Sequence, residues 1–413
     1  MPQPTPTPDD TELTFGQRLK LQRTRRGMTR EVLAGLVGKS ASWVKAVEVG
    51  RLHTPKLAML LRLAEALRVR DLAQLTGDQS MPISLFTGPG HARLPAVRAA
   101  INAMPALTQR QAPPVAHLRA RLSQAWAARH SSPHHREVLG QLLPALIEDA
   151  QLAAHQAEDR NHRRAAQAVL AEVYALSQFF IAYQPAQDLL WRVAERGMVA
   201  AQDSGDLHAI GVASWLMSQA HRDSGDWDAA DVVTSQTLDL LDRHSDGTTD
   251  DVAAMRGATL FEDGYTAARR GETGTAWRRW DQAQSIADQL PGTYYHPVTS
   301  FSRAIMGAHA LTLAVELRAG GESVRQAVRA PSAVIPSRPR RARHEIEQAR
   351  AYYLDAQPEA ALRVLEAAHE AAPETIRYNG YARRILLEEL DERDGRRQHR
   401  ASVLAEKLGL LTV

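Results

Sequence analysis

Two short helical patterns separated by Val37, Gly38, Lys39 and Ser40 constrain this chain more than any other feature, because the chain must reverse there within a few residues. Thr29 is placed to cap the helix that follows it, whose apolar pairs Val32/Leu36 and Leu33/Val37 lie at i, i+4. Gly38 admits the left-handed backbone that such a reversal needs. Ser40 then caps a helix over Ala41 to Val49, in which Trp43, Val44 and Val47 share a face and are expected to be buried. Ala41, Ser42, Lys45 and Ala46 point elsewhere. A first helix over Phe15 to Arg26 is stopped by Gly27, a fourth carries Leu57, Leu60, Leu61 and Ala64 after Pro55, and Asp71 to Leu75 form a last turn. Two short helices joined by a Gly-containing turn make a helix-turn-helix, whose second helix is built to lie in a DNA major groove.

Charge is distributed to match. Residues Phe15 to Arg70 hold thirteen Lys or Arg against three acids, whereas the whole chain is only +3, so the basic excess is local and the remainder is net negative. A local cationic patch is what phosphate contact with release of counterions requires.

The order Phe15, Arg18, Leu19, then Met28 to Glu31, Leu33, Ala34, then Gly38, Ser40, Trp43, Val44, and then Val47, Glu48, Gly50 resembles the phage-repressor (Xre, Cro/cI) type of helix-turn-helix domain. The resemblance implies a five-helix domain that binds double-stranded DNA as a homodimer. In that family the second helix usually begins Ser-Gln-Glu, with the Gln touching DNA; the triplet here is Thr29, Arg30, Glu31, and Arg30 can reach phosphate or guanine instead. Lys39 stands where the family usually has a small apolar residue and brings an extra cation. The expected DNA-binding set is Arg30, Lys39, Ser40, Ala41, Ser42, Lys45, Arg51 and Lys56. The recognition helix holds no Asn or Gln for a bidentate adenine contact, so specificity is expected to lean on Arg30, on thymine-methyl contact by Ala41 and on DNA shape.

With 413 residues the chain exceeds one ordinary domain. The expected division is a disordered arm (1–13), the helix-turn-helix domain (14–76), a linker (77–114) with one short helix near Leu94 to Ala103, and a helical domain (115–413). The absence of cysteine excludes disulfide and thiolate chemistry, and no apolar run approaches a membrane span of roughly 18 residues, so a cytoplasmic protein is expected. No phosphate-cradling glycine loop, nucleophile elbow or paired-carboxylate motif is present, and neither enzyme activity nor a cofactor is expected.

From Val115 onward the pattern is helical, broken at Gln184/Pro185, Ser224/Gly225, Gly271, Gly320/Gly321 and Gln357/Pro358. Local similarity among Gly225 to Ala230, Gly274 to Trp277 and Gln357 to Leu362 resembles tetratricopeptide repeats, although the breaks are spaced more widely than the regular period of about 34 residues. The fold expected is thus all-α, a phage-repressor-like domain followed by a tetratricopeptide-like solenoid. Related regulators bind a short peptide on such an array through Asn side chains; this chain has only Asn102, Asn161 and Asn379, and a peptide or small-molecule effector competes evenly with a purely dimerising array. A candidate effector groove gathers Trp280, Tyr294, Tyr295, Arg338, Arg340, Arg341 and Arg343. The arginine run either binds an anion at a helix start or forms a solvated loop paired with Glu345 and Glu347, the solvated reading being favoured. The aromatic residues could line that groove, although aromatics at helical spacing are usually core. His130, His134 and His135, beside Ser131, Ser132 and Pro133, read as a solvated loop and not as a metal site. Two functions remain open: a regulator, with repression slightly favoured, or a helical scaffold for a partner protein whose first domain binds DNA weakly.

Overall fold

The computed structural model describes residues 13–52, 55, 57–69, 72–77, 90–107, 109–244, 249–392 and 394–410. Among them there are helices and no strand, an all-α chain in which a helix-turn-helix domain precedes a solenoid-like helical array. The chain divides into two compact units, the first built chiefly on described residues up to 77 and the second on those from 90 onward. The expected arm 1–12, and Lys56, lie outside the described residues.

The first unit comprises α1 (Phe15–Arg25), α2 (Arg30–Val37), α3 (Ala41–Glu48), α4 (Leu57–Ala66) and α5 (Ala73–Thr76). Its helices begin where the sequence supplies an acceptor: Thr14, Thr29 and Ser40 each receive a backbone N–H of the first turn, and Thr14 and Gln17 form a reciprocal capping box. Gly38 turns the chain with φ 70°. Leu19, Leu33, Val37, Val44, Val47, Leu63 and Leu67 close the core. Gly16 lies so near α3 that a Cβ there would stand 2.3 Å from the Val47 carbonyl oxygen.

The short helix expected near Leu94 to Ala103 is present and belongs to the second unit. Helix α6 (Leu94–Ile101) falls inside the stretch read as linker, yet Val97, Ala100 and Ile101 are fully buried in one core with Leu139 and Leu143 of α8 (His135–Gln156). Those three residues lie at i, i+3, i+4, and the surface that buries them comes from a helix distant in sequence. Helices α7 (Val115–Ser131) and α8 then start a series of neighbouring pairs: α9 (Arg160–Ile181) with α10 (Gln187–Ser204), α11 (Leu207–Ser224) with α12 (Trp227–Asp242), α13 (Asp250–Arg270) with α14 (Thr273–Gln289), α15 (Met306–Glu316) with α16 (Gly320–Arg329), and α17 (Arg338–Leu354) with α18 (Pro358–Ala371). Four of the five predicted breaks fall at the junctions inside these pairs, and the fifth, Gly320/Gly321, opens α16 just after the turn. Short α19 (Pro373–Arg377) leads to α20 (Gly380–Leu390) and α21 (Gly395–Lys407). Each helix buries an Ala-rich stripe on the next, as stacked repeats must.

The array curls onto itself. Helix α7 packs against α17, and His130 Nδ1 lies 2.8 Å from Ser337 Oγ at the start of α17. The Glu374 carboxylate of α19 accepts the backbone N–H groups of Arg136 at 2.5 Å and Glu137 at 3.2 Å, satisfying the first turn of α8.

Candidate nucleic-acid interface

In α3 the buried residues are Val44, Val47 and Glu48, at i, i+3, i+4. Trp43, expected in the core, is only half-buried, and Lys39 lies over its ring at 5.9 Å, as an ammonium does on an aromatic face. The opposite side presents Ser42 and Lys45 exposed, with Ala41 and Ala46 half-exposed. The Ser40 hydroxyl oxygen accepts the Trp43 backbone N–H at 3.1 Å, which leaves its proton available to a phosphate. Lys39 and Arg51 are exposed beside the two ends of α3. The expected DNA-facing residues Lys39, Ser40, Ala41, Ser42, Lys45 and Arg51 therefore cluster on and around one helix.

Arg30 has a second commitment. Its Nε donates to Glu48 Oε2 at 2.7 Å, while Arg23 Nε donates to Glu48 Oε1 at 2.5 Å and Arg23 Nη1 to the Met28 carbonyl at 2.7 Å. The Glu48 side chain is wholly buried, that of Arg30 about one-third exposed. Burial alone would push the Glu48 carboxyl up; the two arginine hydrogen bonds outweigh it and hold the group below its ordinary value. Glu48 thus ties α1, α2 and α3 together, and the Arg30 side chain on α2 is positioned by the far end of α3. The sequence carried the signal: Glu48 is four residues after Val44 and one after Val47, on the apolar face.

The effector-groove residues divide into two sets: Tyr295, Arg340 and Arg343 stay near one another, and the other four are committed elsewhere. Trp280 donates its indole N–H to the Met306 carbonyl at 3.1 Å, and Tyr294 donates to Asp251 at 2.6 Å. The arginine run is not a solvated loop, because α17 begins at Arg338 and carries it on its first two turns. Arg338 caps the carbonyl of Ala371 and Arg341 that of Ile335. Arg343 pairs with Glu347 at 2.8 Å, one turn on, not with Glu345. Arg340 and Arg343 face Tyr295 and Tyr183, respectively, from inside the curl. Of the histidines only His134 lies exposed in the turn: His135 is buried, and His130 stacks on Trp126 with its two ring nitrogens 2.8 Å from Ser337 Oγ and the Pro297 carbonyl. Burial, then the neighbouring Arg129, pushes His130 down to about 4.

A family model described as a helix-turn-helix domain matches residues 14–75. No curated protein matches the chain. The first unit is a helix-turn-helix DNA-binding domain, as found in transcription regulators, and among the described residues no helix is long and apolar enough to cross a membrane.

Proposed function

We propose that this protein is a cytoplasmic, homodimeric, sequence-specific transcriptional regulator of the Xre type, with repression its favoured mode, whose tetratricopeptide-like array responds to an effector or mediates assembly. It carries out no catalytic step and needs no cofactor. The observation that supports this reading most is the exposed face of α3, where Lys45 and Ser42 stand with Ala41 between Lys39 and Arg51 on a helix whose other face is anchored by Val44, Val47 and Glu48. Such a helix fits a major groove with its N-terminal residues toward the base edges. Two of them, one per subunit, would read half-sites about 10 base pairs apart or a multiple of that.

A scaffold with weak DNA binding remains a second reading, favoured by Arg30, which shares its guanidinium with Glu48, and by an α3 with few direct readers. Binding of the purified protein to labelled duplexes across a salt series separates the two. A regulator gives a steep salt dependence together with at least about a thousandfold preference for one sequence; a scaffold gives salt-dependent binding without preference, or none.

A further inference from the structure

Inside the curl of the second unit, cations outnumber the carboxylates that answer them. Glu347 is shared by Arg343 at 2.8 Å and Arg350 at 2.6 Å, and Glu316 serves Arg350 at 2.8 Å. Arg129 and Arg340 have no ion pair among the described residues, and Arg340 has no hydrogen bond among them either. Arg129 is only 9 % exposed and lies over the Phe179 ring at 4.2 Å, with Nη1 3.4 Å from His130 Nδ1, but no carboxylate among the described residues pairs with it and its Nε has no hydrogen-bond partner there. The Nε of Arg340, Nη1 of Arg343 and the hydroxyl of Tyr295 are equally unanswered. These groups converge because the His130–Ser337 contact fixes the end of α7 against the start of α17, while Tyr295 meets the His130 ring edge-on at 6.2 Å.

Uncompensated charge of this kind is costly to bury, and a site is the ordinary reason to retain it. A second feature points the same way. Tyr183, in the turn between α9 and α10, holds its backbone at φ 67°, a region a bulky residue adopts only under constraint, and its exposed ring faces Arg343 at 5.8 Å. By contrast, the arginines lining a cavity of about 450 Å³ beside α9 are already answered, Arg163 by the Ala157 carbonyl and Arg196 by that of Ile101.

We propose that the inner face of the array is a binding site for a small organic oxyanion carrying at least two negative charges, held by Arg129, Arg340 and Arg343 between the rings of Tyr183 and Tyr295. Guanidinium groups suit phosphate and carboxylate alike through paired N–H donors. The proposal rests on the reading of the array as an effector domain and names the effector's chemistry.

Thermal unfolding of the full chain without DNA, at ionic strength held constant with potassium chloride, tests it with two probes, pyrophosphate and citrate. Saturable upward shifts of the midpoint by a few degrees are expected with one or both, and the stronger probe identifies a phosphate or a carboxylate ligand. Arg340→Met and, independently, Arg129→Met should abolish the shift, whereas Arg303→Met, on the exposed surface, should keep it. No shift with either probe, or an unchanged shift in both inner variants, overturns the proposal. Because no DNA is present, failure of the DNA-binding reading leaves this result untouched, and its own failure leaves DNA binding untouched.

Discussion

At the scale of single residues, the first unit separates anchoring from reading. The Lys45 side chain is exposed, so Lys45→Ala should weaken binding to a preferred duplex and lower the salt slope by about one, with helicity unchanged by circular dichroism. An unchanged slope would remove Lys45 from the interface. Arg30→Ala should also weaken binding, but it withdraws one of two cations from the buried Glu48, so it should reduce stability as well. Glu48→Ala leaves Arg23 buried without its carboxylate and is expected to cost about 3–5 kcal/mol, read as lost amide-exchange protection in α1 to α3. The pH dependence follows from the depressed Glu48 carboxyl. Its stabilisation is fully present above the ordinary value of 4.5 and is lost as pH falls through the lower folded value; protection that persists undiminished in acid would contradict the ion-pair role.

Among elements, what the sequence revealed follows from which signals are local. Caps, the Gly38 turn and the five breaks in the array depend on neighbouring residues, and Thr29, Ser40, Gly225 and Pro358 stand where they were read. The misreadings concern long-range partners. Helix α6 stands where a short helix was expected, but its burial was not legible because the surface on α8 that covers its three apolar side chains lies some forty residues away, and the arginine run joins α17 because Ala371, Ile335 and Glu347 receive it. Trp43 shows the same limit, since periodicity puts it on the apolar face but the neighbouring helices cover only part of its ring. Glycine makes such long-range contact testable. Gly16→Ala would drive a methyl into the Val47 and Glu48 carbonyls and should separate α1 from α3, lowering stability by several kcal/mol in denaturant unfolding, well beyond the ordinary Gly-to-Ala effect in a helix of about 1 kcal/mol in the opposite direction. A stabilised variant would show that the α1–α3 approach is looser than described.

For the whole molecule, the charge distribution follows the proposed division of labour. The cationic excess lies in a domain of about sixty residues with an exposed reading helix, while the net negative remainder encloses a small inner cluster of unanswered arginines. On this account DNA binding and the proposed anion binding belong to separate units and can be lost separately. The central claim is that the first unit reads sequence as part of a dimer. Selection of bound sites from a random duplex pool by the purified full-length chain at near-physiological salt tests it most directly. The account predicts enrichment of an inverted repeat with half-sites about 10 base pairs apart, or a multiple of that. Recovery of a pool no different from the input would contradict it.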